Sequence, residues 1–148
     1  MEATSPVTMD RDSIDAFLGS GGTCVLALAS DSKPYAVPVS YAYEPDRTTF
    51  YLRLGDTGTS EKRAFLGGET PARLVAYDVD DRASRSVIAE GPLEEIESGD
   101  LTPELVEVLS EGEFPYFELW DESKRDIEFT LARLRPSTLT GRRTPGDD

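Results

Sequence analysis

The sequence contains no histidine, and no other feature of its composition removes as much chemistry. Histidine is the usual general base near neutral pH, the commonest zinc ligand and the commonest haem ligand. A Ser–His–acid catalytic triad is therefore impossible. Cysteine is nearly as scarce: Cys24 stands alone, in the apolar run TCVLALA. A single cysteine permits no intrachain disulfide and no cysteine-rich metal site, so Cys24 reads as a small buried hydrophobe. Positive charge is short as well. Fifteen Lys and Arg face twenty-nine Asp and Glu, giving a formal net charge of −14, and the lysines are Lys33, Lys62 and Lys124 alone. So acidic a surface repels nucleic-acid phosphates and anionic lipid, which argues against both as partners. The acids are spread along the whole chain, as suits a halophilic carboxylate surface in strong brine, where salt screens self-repulsion. A basic partner or a cation substrate is the competing reading of that charge. Long apolar runs are missing too. No stretch is long enough to span a bilayer, and MEATSPVTMD has no basic region leading into an apolar run, so the chain reads as cytoplasmic.

What is present suits one globular domain: 148 residues, 38% hydrophobic and 9% aromatic. Residues 1–8 read as a loose tail. Asp10 then offers a helix N-cap, with Met9 and Ile14 placed as a hydrophobic staple. Ile14, Phe17 and Leu18 fall at helical spacing, and Gly19 with Gly21-Gly22 stops the helix. Strand signals follow in TCVLALAS, YAVPVSYAY and TTFYLR, joined by the polar turns DSK and EPDRT. Pro38 cannot donate to a ladder, which puts its strand at an edge, a bulge or a barrel seam. A short helix is expected from about Ser60 to Leu66. ARLVAYDV and SVIAEGPLEEI give two more strands, Thr102 and Pro103 open a third helix, and DIEFTLARLRP is the last strand. STLTGRRTPGDD fades into a tail. Six strands with short turns and no βαβ rhythm predict a mainly β fold with short helices, a small antiparallel barrel.

Three segments are candidates for chemistry. In TGTSEKRAF, Ser60 as an N-cap leaves the N–H groups of the first helical turn pointing outward, an arrangement that favours an anion. Lys62 adds a point charge, Arg63 a planar donor fork, and Thr57 and Thr59 add hydroxyls. The same stretch also reads as an ordinary solvated helix start. YAVPVSYAY is either strand filler or a strand whose backbone faces a flat ring, with Ser40 supplying a hydroxyl. Trp120 lies near Phe114, Tyr116 and Phe117, either as a satellite core cluster or as a lid that stacks on an aromatic ligand. Carboxylate pairs such as Asp80-Asp81 and Glu94-Glu95 are what chance supplies in so acidic a chain, so no metal site and no catalytic acid–base pair is assigned. GDTGTS lacks the spacing of a nucleotide phosphate loop.

The succession IDAFL, CVLALASDSKPYAVPVSYAY, FYLR, SEKRAFL, ARLVAYDV, SVIAEGPLEEI and LTGR resembles the pyridoxamine 5′-phosphate oxidase-like family, the FMN-binding split β-barrels. The resemblance implies a six-stranded antiparallel split barrel over residues 9–143, with residues 144–148 as a tail. It also implies a homodimer with FMN bound non-covalently at the interface, in two equivalent sites. By that likeness Pro38, Val39, Ser40 and Tyr41 line the flavin ring and ribityl chain, and Arg53 lies near the ribityl or phosphate group. Ser60 and Lys62 hold the phosphate, assisted by Arg63. Arg85 and Ser86 precede a strand that reaches the cofactor or the dimer seam, and Trp120 and Arg142 approach the flavin from the partner chain. Glu61 stands where the name-giving oxidase has a basic residue, and so does Ser40, so pyridoxamine phosphate oxidation is not implied. What is implied is a flavin-dependent oxidoreductase acting on a small-molecule substrate. Two other readings are a deazaflavin-dependent reductase of the same fold and a non-catalytic flavin-binding or dimerisation module.

Overall fold

The computed structural model describes residues 7–30, 32–56, 70–79, 83–96, 102–103 and 128–145. The chain enters through a two-residue strand, β1 (Val7–Thr8), and a helix, α1 (Arg11–Leu18). The cap expected at Asp10 is formed: its carboxylate accepts a hydrogen bond from the Ser13 amide at 2.8 Å. Met9 and Ile14 are both buried, as a staple requires. Gly19 ends the helix at φ +60° and ψ −146°, a conformation open in practice to glycine.

Seven further strands follow: β2 (Gly21–Ser30), β3 (Lys33–Glu44), β4 (Thr49–Asp56), β5 (Thr70–Val79), β6 (Ser84–Glu95), β7 (Glu128–Leu134) and β8 (Thr138–Arg143). All pairings are antiparallel. The order β6-β5-β2-β3-β4-β7 returns to β6, where Leu93–Glu95 pair with Leu134–Ala132, and this closes a six-stranded barrel. Strand β6 is forked. Its first half, Arg85–Glu90, pairs with β8 instead, and β1 adds to the far side of β8. The six strands expected from sequence are the six barrel strands.

Two segments read as tails are in fact paired. Val7 and Thr8 pair with Arg143 and Arg142, and STLTGRR carries β8. Leu139 and Gly141 face inward on β8, and that alternation was hidden because glycine supplies no apolar side chain to reveal it. Gly141 is required there: a Cβ would stand 2.9 Å from Ile14 Cγ1 and 3.0 Å from Met9 Sδ. The helix expected from about Ser60 to Leu66 lies outside the described residues. Of the third expected helix, Thr102 and Pro103 are described, Pro103 is helical, and the remainder lies outside the described residues.

Alternation sorts the side chains by face. Leu26, Leu28, Tyr41, Phe50, Leu52, Leu74, Val87 and Leu134 fill the interior. Cys24 joins them at 2% exposure, and burial pushes its thiol pKa up, so it is the inert hydrophobe expected. Helix α1 caps one barrel end. Ile14 and Leu18 point down into the core, the Tyr41 hydroxyl donates to the Leu18 carbonyl at 3.0 Å, and the Tyr43 hydroxyl donates to Asp15 at 2.6 Å. Arg11 ties the same helix to the β3–β4 connection through Thr48 Oγ1 and the Pro45 carbonyl. Strand β3 pairs with β4 only from Ser40 onward, so Pro38 sits two residues beyond the end of that ladder, paired with Val25 of β2. The missing proline N–H explains the placement.

Candidate functional site

The site is built on the outer face of the barrel, from side chains of opposite parity to the core. Ser40 on β3 is the direct cross-strand partner of Arg53 on β4 and of Thr23 on β2. Ser40 is buried at 4% exposure, Arg53 is half-buried and Thr23 is exposed. Across the barrel, Ser86 on β6 pairs with Tyr77 on β5 and with Arg142 on β8, and Arg142 pairs with Thr8. These two polar rows run at the same height. The β2–β5 ladder ends at Val25↔Val75, and the next outward residues in that register are Thr23 and Tyr77. The rows therefore meet at a seam where β2 and β5 part.

Immediately beside the polar rows runs an apolar strip. Pro38, Val25, Val75 and Ile88 are successive cross-strand partners over β3, β2, β5 and β6, all outward and all half-buried or exposed. A third row carries Ala36, Ala27, Arg73 and Glu90, with Arg73 and Glu90 ion-paired at 2.8 Å. There the surface sinks into an open groove of about 750 Å³, floored by Ala27, Ala29, Pro34, Pro71 and Pro92. A smooth apolar strip edged by hydroxyls and guanidinium groups suits a flat heteroaromatic ring with polar and anionic substituents.

The sequence candidates fall into three groups. Pro38, Ser40, Arg53, Ser86 and Arg142 all have outward parity, in two sets: Pro38, Ser40 and Arg53 on β3 and β4, and Ser86 and Arg142 on β6 and β8. Val39 and Tyr41 alternate with Pro38 and Ser40 and turn their side chains into the core, so only their backbones border the outer face. Arg85 likewise has the parity opposite to Ser86. Its guanidinium pairs with Asp78 at 2.8 Å and lies 4.8 Å over the Phe17 ring, which ties β6 to β5 and α1. Ser60, Lys62, Arg63 and Trp120 lie outside the described residues. The segment that holds Ser60 and Lys62 departs from Asp56 and returns at Thr70, at the barrel end opposite α1. Sequence reading missed Thr23, Tyr77 and the groove, since only the strand register shows which residues share the outer face. Among the described residues no group of three or more potential ligands is placed to hold a metal, and no helix is long and apolar enough to cross a membrane.

Comparison with known proteins bears on this geometry. A family model described as pyridoxamine 5′-phosphate oxidase matches residues 10–143. No curated protein matches the chain. Among solved structures, an FAD-binding protein from Mycobacterium smegmatis is similar at TM-score 0.66 and 18% identity, covering 93% of this chain and 97% of that one. A second FAD-binding protein, from Mesorhizobium loti, is similar at TM-score 0.65 and 21% identity, over 97% of this chain and 100% of that one. A flavocytochrome from Azotobacter vinelandii reaches TM-score 0.64 at 18% identity, over 94% of this chain and 71% of that one. At these identities the structures speak for a shared fold. The family model spans nearly all of the barrel, from the helix cap to the end of β8, and the chain belongs to the pyridoxamine 5′-phosphate oxidase family.

Proposed function

We propose that the protein is a flavin-dependent oxidoreductase that holds FMN on the outer face of its split barrel and acts on a small molecule. The observation that carries this reading is the apolar strip Pro38–Val25–Val75–Ile88 with polar rows along its margin. The strip offers an apolar bed for a ring system. Arg53 and Ser40 sit at one end as donors for the ribityl chain or phosphate, next to the strand that leads to Ser60 and Lys62. Ser86 and Arg142 offer a hydroxyl and a guanidinium at the other end. When bound, the flavin supplies two-electron transfer, and the chain's residues bind, orient and exclude water. That division of labour fits a sequence with no histidine to act as general base.

The homodimer belongs to the same reading. Ser40 and Ser86 lie three strand spacings apart, about 14 Å along the surface at the usual spacing of ~4.8 Å. A two-fold dimer that sets the β3–β4 end of one copy against the β6–β8 end of the other yields two equivalent, more enclosed sites. The net charge of −14 works against nucleic acid or anionic membrane as partner, and the cytoplasm is the compartment proposed.

The test is the visible spectrum of protein purified in high salt, mass identification of any released chromophore, and its size in solution. Bound FMN that is lost on combined Ser60→Ala and Lys62→Ala substitution supports the assignment. A protein that takes up neither FMN nor FAD refutes it, and selective uptake of a deazaflavin redirects it.

A further inference from the structure

One large ring on the outer face is left exposed to solvent. Tyr77 is 63% exposed, whereas Tyr41, Tyr43 and Tyr51 are at most 5% exposed and Tyr35 is half-buried against the core. Its inward neighbour on β5, Ala76, already fills the core position at 2% exposure. Tyr77 is the direct partner of Ser86, which in turn partners Arg142. It also stands at the seam facing the Thr23–Ser40–Arg53 row. Its backbone is fixed. The flanking residue Asp78 is ion-paired to Arg85 at 2.8 Å, and Arg85 is stacked on Phe17 of α1. An exposed tyrosine on a paired strand can stack at low entropic cost, since only two side-chain torsions are ordered on contact.

We infer that Tyr77 is a positioning residue of the flavin site, its ring packing against the flavin ring while Ser86 and Arg142 meet the ring's polar margin. The inference rests on the proposed flavin reading and adds to it a residue and a contact. It holds for either arrangement of the site. A flavin whose ring lies beside Ser86 while its ribityl chain runs toward Ser40 on the same chain crosses Tyr77, and a ring shared between two copies meets Tyr77 together with Ser86. The phenol also gives the contact a signature. A tyrosine ring touching an excited flavin quenches its fluorescence by lending an electron that returns at once, so no net chemistry follows.

The experiment uses full-length protein loaded with FMN, in a Trp120→Phe background that removes the one indole as a competing quencher. Tyr77→Phe and Tyr77→Ala are compared for FMN affinity and for the fluorescence lifetime of the bound flavin. Tyr77→Ala is expected to weaken binding about two- to tenfold and to lengthen the lifetime. Tyr77→Phe is expected to keep the affinity within about twofold, since the stack survives, and still to lengthen the lifetime. Circular dichroism and melting should be unchanged, because an exposed side chain is altered. If the parent binds FMN and both variants match its lifetime and affinity, Tyr77 is not at the flavin, and the flavin reading stands without it. If the protein with Trp120 intact binds no flavin, both readings fall together.

Discussion

Ser40 and Arg53 are direct cross-strand partners on β3 and β4, on the outward face of a barrel whose inward face is closed by Tyr41 and Leu52. A nearly buried hydroxyl beside a half-buried guanidinium makes a compact donor pair for an anionic or hydroxyl-rich ligand. Hydrogen bonds to charged groups are worth about 1.5–3 kcal/mol, so Arg53→Ala should weaken FMN binding about 10- to 100-fold. Riboflavin, which lacks the phosphate, should lose less. Equal losses for the two ligands in fluorescence titrations would move Arg53 from the phosphate to the ring or ribityl chain.

Two glycines separate soft from hard packing. At Gly141 an added Cβ meets the side chains of Ile14 and Met9, whereas at Gly91 it stands 2.6 Å from the Arg135 carbonyl and 3.0 Å from Pro136 Cα. Methionine can shift its rotamer and a backbone turn cannot. Gly141→Ala should cost about 1–2 kcal/mol, and Gly91→Ala about 3 kcal/mol or more. Urea denaturation of both variants checks the order, and a reversed order would contradict this account of the β7–β8 turn.

Alkaline pH should destabilise the protein through two phenols. Burial, with a minor contribution from Cys24, pushes Tyr41 up to about 12, and burial reinforced by the Asp15 carboxylate does the same for Tyr43. In the unfolded chain both titrate near 10. Between those values the folded state keeps protons that the unfolded chain has released, so stability falls as pH rises. This contribution is whole below about pH 10 and is lost by about pH 12. Urea midpoints measured from about pH 8 upward should drop along that limb, and less steeply in Tyr43→Phe. An unchanged slope in the variant would remove Tyr43 as a cause.

Salt should stabilise the fold. At −14 the chain repels itself, and screening weakens that repulsion most steeply at low ionic strength, where the Debye length is long. The exposed pairs Arg73–Glu90 and Asp78–Arg85 lose a little in the process, but surface pairs are worth about 1 kcal/mol at most. Melting temperature should therefore rise from low salt to molar sodium chloride. A flat or falling curve would contradict the brine reading of the acidic surface.

The barrel was legible in the sequence because alternation is a local signal. YAVPVSYAY and ARLVAYDV announce strands whatever they pair with, and Asp10 with Met9 and Ile14 announces a helix start. Strand β8 was not legible, since Gly141 is the residue that makes room for Ile14 and shows no apolar side chain. The site was legible in pieces. Ser40, Arg53, Ser86 and Arg142 were each picked out, yet their pairing as Ser40–Arg53 and Ser86–Arg142 on the outer surface depends on register, which is a property of pairs of strands. Tyrosine shows the limit most plainly: Tyr41 and Tyr77 both sit in alternating apolar strands, and only the pleat sends one inward and the other outward.

The closure of the barrel also sets a schedule for synthesis. Strand β4 is complete at Asp56, but its outer partner β7 begins at Glu128, so residues 57–127 leave the ribosome in between. Throughout that interval one edge of β4 waits for its barrel partner, beside Phe50, Leu52 and Leu54 that are destined for the core. Pairing across so long a stretch of chain is slow to form, and chains halted before β7 are left open to association with one another. A nascent protein of this design gains its protection from aggregation only once β7 has emerged.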